Sequence, residues 1–175
     1  MRIGIDGREL SRHQTGVGRY VANLCERWAS LPAAAGHTIV IYSPERIGSP
    51  PTNLRESLPG AQTIYRVVPG VAGTWWEQTA LAHVANEDRL AVFFGPSYSL
   101  PLRLTPPSVV TLHDISFVAH PEWFRRGEGF RRRWFARRSA AIAETVITVS
   151  EFCRQELVHY LDLDPKRIRV IPNGV

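Results

Sequence analysis

Cysteine is nearly absent: the 175 residues hold two, Cys25 and Cys153, both inside helical patterns and without metal-ligand spacing. Such isolated residues read as free, buried thiols, and a disulfide scaffold or cysteine-based metal site is excluded. No stretch approaches the roughly 18 uninterrupted apolar residues of a membrane-spanning helix. The opening MRIGID reads as a strand, not as a charged segment leading into an apolar leader, so a cytosolic protein is expected. There are no repeats, no low-complexity tract and no internal linker. A phosphate loop of the G-x-x-x-x-G-K-S/T type is also missing, which removes that class of nucleotide hydrolase.

What is present suits one α/β domain. Of the residues, 44% are hydrophobic and 21% charged, ordinary values for a globular chain. A chain of this length buries about 70% of its unfolded surface, enough for its own core. Short apolar runs at 2–6, 38–42, 63–68, 90–94, 108–112, 145–149 and 167–171 alternate with helical patterns. Most lack polar alternation, as strands covered on both faces do. The expected fold is a Rossmann-like, doubly wound, mostly parallel sheet of about seven strands with helices on both faces, binding ligands at the strand C-terminal edge.

Between the first two strands, Val17, Tyr20, Val21, Leu24, Trp28 and Leu31 follow the spacing of one helix face, starting near Gly16 and stopped by Pro32. A second helical run covers 75–85. Ser150 is placed to cap a third, with Leu157, Tyr160 and Leu161 toward the sheet. The loops at 44–61 and 95–107 exceed what simple connections need and are rich in Pro, Ser and Gly. The second leaves a sheet edge and is the better candidate for a binding loop.

The net charge of +5 is unevenly placed, for seven arginines lie between Arg125 and Arg138 with Glu128 as their sole acidic neighbour. On a helix over 130–142, Phe130, Trp134, Phe135, Ala141 and Ile142 share a broad apolar arc that includes Arg131 and Arg138. Two roles are open to these arginines: stems lying along an apolar face, or guanidiniums gathered at a phosphate-bearing acceptor or anionic membrane surface. Nucleic acid is not an expected partner, because no aromatic stacking platform organised with the basic residues is evident.

Two glycines of TGVGRY, Gly16 and Gly18, stand at a helix N-terminus, where missing side chains let backbone amides approach an anion. The dinucleotide fingerprint fails here: Val21 replaces its third glycine, and the pair follows Asp6 by about ten residues instead of closing the strand directly. The alternative use of these glycines is a tight turn into a helix, where close packing also calls for glycine. His113 and Asp114 directly follow the run at 108–112 and bring an imidazole and a carboxylate to the ligand-binding edge.

In order along the chain, IDGRELSRHQTGVGRY, the WEQ helix start, GPSYSLP followed by VVTLHD, and TVSEFCRQEL leading to RVIPNGV resemble family 4 glycosyltransferases. The resemblance implies the N-terminal, acceptor-side domain of a retaining GT-B enzyme over 1–175, with the C-terminal donor-binding domain outside this chain. It implies sugar transfer from a nucleotide donor, a GDP- or UDP-sugar, to an acceptor hydroxyl of a glycan or lipid-linked sugar. Mannose and glucose are both compatible, no further cofactor or metal is required, and the isolated domain is expected to be inactive. Gly16, Val17 and Gly18 would then face the donor phosphates. His113 would approach the transferred sugar or acceptor hydroxyl, with Asp114 orienting it or accepting a proton.

Ser97, Tyr98, Trp75, Arg131 and Arg138 are the acceptor candidates, and Trp76 reads as a core anchor beside the more superficial Trp75. Phe94 departs from the pattern, since many relatives carry a histidine before the turn that begins here with Gly95 and Pro96. The basic helix suggests peripheral contact with the inner face of a membrane. A noncatalytic sugar-binding or interaction module of the same fold is the alternative, because fold alone does not decide chemistry.

Overall fold

The computed structural model describes residues 1–11, 16–47 and 61–174. The strands are β1 (Arg2–Asp6), β2 (Thr38–Ser43), β3 (Gln62–Val67), β4 (Val92–Gly95), β5 (Ser108–Thr111), β6 (Thr145–Thr148) and β7 (Ile168–Val170). They form a seven-stranded sheet in the order β3-β2-β1-β4-β5-β6-β7, and every described pairing register is parallel. The chain is an α/β, Rossmann-like protein. It divides into one compact unit of Met1–Phe94 with Arg103–Pro106, and a second of Gly95–Leu102 with Pro107–Val175.

In the first unit, Ile39, Val40, Ile41 and Tyr42 are successive and all buried, so β2 is covered on both faces as its unbroken apolar sequence requires. The helix α1 (Gly16–Ser30) buries Val21, Ala22 and Cys25 and leaves Val17, Tyr20, Leu24 and Trp28 half-buried on the same side. Leu31 falls beyond the helix and is exposed, because the chain turns into a 3-10 segment at Pro32. The run expected at 75–85 is α2 (Thr74–Trp76), a π-helical turn Glu77–Leu81, then α3 (Ala82–Glu87). Trp76 is the anchor: its indole N–H donates to Val68 O at 2.8 Å, sparing a buried donor a penalty of about 1–3 kcal/mol. Strand β4 starts at Val92 and not at Leu90, since Arg89, with φ 50°, reverses the chain after α3.

In the second unit, α4 (Ser116–Ala119), α5 (Arg126–Ile142) and α6 (Glu151–Leu161) accompany β5, β6 and β7. Ser150 caps α6 by accepting the Cys153 amide at 3.1 Å, a contact worth about 1 kcal/mol. Leu157 and Leu161 are buried, while Tyr160 is exposed and packs edge-on against His159. Helix α5 buries Gly129, Ala136, Ser139 and Ala140 and packs against β5, so small residues set its close approach. Its aromatic arc faces outward, with Phe130 64% and Trp134 44% exposed. Both cysteines are free and buried. Of the loop at 44–61, residues 48–60 lie outside the described residues.

Candidate functional site

The first unit brings three charged side chains to the end of β1. Asp6 closes the strand; the Arg8 amide donates to its Oδ1 at 3.1 Å and Arg8 Nε to its Oδ2 at 2.8 Å. Arg8 Nη2 also lies 2.6 Å from Asp6 Oδ2 and donates to Glu77 Oε1. Asp6 and Glu77 are only 3% and 1% exposed, so one guanidinium is shared by two buried carboxylates. Burial opposes the Arg8 charge, but the two carboxylates more than offset it and hold its pKa above the ordinary value.

Arg8 opens a 3-10 turn, Arg8–Leu10, that packs against α1. The first turn of α1 carries Gly16, exposed, Val17, half-buried, and Gly18, buried. The first amides of a helix have no intrahelical acceptor. This first turn holds no acidic residue to repel an anion. Among the described residues a Cβ built on Gly16 meets nothing within 4 Å, so their packing does not demand glycine there. At Gly7 it would stand 2.4 Å from Ile41 Cγ2, and that glycine serves close packing. Trp75, at the start of α2, is 82% exposed.

In the second unit His113 follows β5 and is half-buried. Its Nε2 lies 3.0 Å from Pro96 O, and a carbonyl oxygen only accepts, so Nε2 carries the proton. The backbone is held as well: Thr148 Oγ1 donates to Leu112 O at 2.9 Å and Cys153 Sγ to His113 O at 3.3 Å. The loop bearing Pro96 is itself fixed, since the Leu100 amide donates to the buried Ser139 Oγ at 2.9 Å. His113 is thereby joined to the segment with Ser97 and Tyr98.

Tyr98 is half-buried, with Phe117 tilted against it at 5.6 Å and the Arg132 guanidinium 5.6 Å from its ring centre. Arg131 Nη1 donates to Tyr98 Oη at 3.4 Å. Arg132 is in turn paired with Glu128 at 2.5 Å. Asp114 belongs elsewhere: its Oδ1 accepts the Ser116 amide at 3.0 Å and hydroxyl at 2.6 Å, fastening the start of α4. Arg138 is also separate, lying 6.0 Å from the Trp134 ring on the exposed side of α5. Among the described residues no group of three His, Cys, Asp or Glu side chains is placed to hold a metal ion.

With this geometry, residues 14–175 match the family model described as Glycosyltransferase Family 4. The chain belongs to glycosyltransferase family 4. No curated protein matches it. Membership makes it a glycosyltransferase domain, built to bind a sugar donor and an acceptor.

Within the family 4 domain, sequence reasoning missed Asp6, Arg8 and Glu77. One signal was available: Glu77 and Leu81 stand four apart in WWEQTAL and share a buried helix side. A carboxylate on such a face requires a cationic partner. Which arginine supplied it was hidden by the 69 residues separating Arg8 from Glu77.

Proposed function

We propose that this domain is the acceptor-side half of a retaining hexosyltransferase that moves mannose or glucose from a UDP- or GDP-sugar to an acceptor hydroxyl. It works with a C-terminal donor-binding domain and is inactive without it. The observation that carries the reading is the start of α1, where Gly16 presents a helix end that is acid-free and, among the described residues, open, as suits a diphosphate.

In this scheme the start of α1 at Gly16, Val17 and Gly18 faces the leaving diphosphate, and the positive helix end stabilises the charge gathering there. The bond from the anomeric carbon to the phosphate oxygen breaks as the bond to the acceptor oxygen forms on the same face. The acceptor's proton passes to the departing phosphate oxygen. His113 orients the sugar or the acceptor hydroxyl; its Nε2 proton is committed to Pro96 O, which favours positioning over proton abstraction at that atom. Asp114, turned to Ser116, supports the loop after His113. Ser97, Tyr98 and Arg131 contact the acceptor, and the exposed indole of Trp75 offers a face for a sugar ring.

Arg138 takes a different part. With Phe130, Trp134 and Ile142, each four residues from the next, it forms an exposed stripe of aromatic, aliphatic and cationic side chains. Among the described residues no helix is long and apolar enough to cross a membrane. The stripe suits an anionic bilayer surface at the cytoplasmic face, where a lipid-linked acceptor would be met.

A screen of UDP-glucose, GDP-glucose, UDP-mannose and GDP-mannose with the protein including its C-terminal domain tests the reaction. Turnover with at least one donor, giving product of unchanged anomeric configuration by proton NMR, is expected. Inverted product contradicts the mechanism, and sugar binding without turnover of any donor points to a noncatalytic module.

A further inference from the structure

Two carboxylates and one guanidinium buried at the end of β1 are a costly arrangement if their only task is stability, since apolar replacements of buried ion clusters are often neutral or stabilising. Their geometry points to placement. Asp6 grips Arg8 through both the backbone amide and Nε, fixing the first residue of the turn as well as its side chain. Glu77 accepts from Nη2 of the same guanidinium and begins the π-helical turn, an irregularity frequent at functional sites. The turn thus clamped, Arg8–Leu10, is the one that packs against α1.

We propose that Asp6, Arg8 and Glu77 are positioning residues that hold the glycine start of α1 in place for the donor's diphosphate. The planar fork of arginine is needed to meet two carboxylates at fixed angles, which the point charge of lysine does not reproduce. The ligand part of this inference rests on the sugar-nucleotide reading above; the positioning part does not.

The test uses the protein with its C-terminal domain and the variants Glu77→Gln and Arg8→Lys. Asp88→Asn is the comparison: Asp88 anchors another charged group in the same unit, accepting from Tyr42 Oη at 2.5 Å and from Arg66 Nη1. Hydrogen exchange without substrate is read in peptides covering residues 16–24. Glu77→Gln and Arg8→Lys are expected to speed exchange there about tenfold, with β2 unchanged and Asp88→Asn without effect on that segment. With the active donor, KM is expected to rise about tenfold in both variants while kcat stays within about twofold.

Exchange within about twofold of the parent in residues 16–24, or an equal rise throughout the unit, overturns the positioning role. If Glu77→Gln does not fold, Arg8→Lys decides. A parent protein that turns over no sugar nucleotide sinks the proposed function instead, and the exchange result then stands by itself.

Discussion

The imidazole of His113 hydrogen-bonds through Nε2 to the carbonyl oxygen of Pro96 at 3.0 Å, so a backbone acceptor fixes its tautomer. In the neutral ring the proton is expected on Nε2, not Nδ1. Nitrogen-15 chemical shifts of the ring at pH 8 check this, and an Nδ1–H signal for His113 would contradict the assignment.

The glycines at positions 7 and 16 should respond in opposite ways. Gly7→Ala forces a methyl group against Ile41 and the Tyr42 carbonyl, at an expected cost of roughly 1–3 kcal/mol. Gly16→Ala meets no neighbour among the described residues and should stay within about 0.5 kcal/mol of the parent. Its methyl group nevertheless screens the first-turn amides, so the KM for donor should rise. Urea unfolding combined with steady-state kinetics separates the two effects; a large stability loss at Gly16 would return that glycine to a packing role.

Helix α5 makes a second contrast. Phe130→Ala and Trp134→Ala remove exposed side chains and should cost about 0.5 kcal/mol or less, whereas Ala140→Leu overpacks a fully buried position at roughly 1–3 kcal/mol. The same two alanine variants, and Arg138→Ala, should weaken sedimentation with vesicles rich in phosphatidylserine. Retention of the parent should also fall as salt rises through 0.5 M. Vesicle binding unaffected by the three substitutions, or equal affinity for single-stranded DNA, would remove the membrane role.

Alkaline pH should unfold the protein progressively. Burial pushes the Cys25 thiol from an ordinary value of 9.0 up to about 12. Burial, with Cys25 nearby, raises the Tyr65 phenol from 10.0 to about 12. For both, the folded state favours the neutral form, so their contribution is intact below the unfolded pKa and is lost as pH rises from about 9 toward 12. The slope approaches 1.4 kcal/mol per pH unit for each group. Urea midpoints at pH 7.5 to 11 should show this decline, and Cys25→Ala should flatten its lower part; equal slopes in parent and variant would contradict it.

Much of the fold was legible because parallel strands buried on both faces advertise themselves as unbroken apolar runs, as TIVIY does in β2. The outward turn of α5 was not. Its large apolar residues mark the arc that a helix ordinarily buries, yet Gly129, Ala136, Ser139 and Ala140 occupy the packed face. Small side chains carry almost no signal in a hydrophobic pattern and show their role only when a neighbouring backbone is in place. At the candidate site, the place of His113 directly after β5 was readable from the strand pattern, whereas the hydrogen bond between Arg131 and Tyr98 was not, because 33 positions separate them in the chain. The hydrogen bonds from Ser116 to Asp114 Oδ1 were not legible, because adjacency to His113 in sequence does not reveal which local partner a carboxylate takes.

The most direct measurement is sugar transfer by the protein with its C-terminal domain, compared between the parent and His113→Ala at saturating donor. The expected result is a fall in kcat of about a hundredfold or more with folding intact by circular dichroism. Unchanged turnover in the variant would contradict the role given to His113 in the reaction.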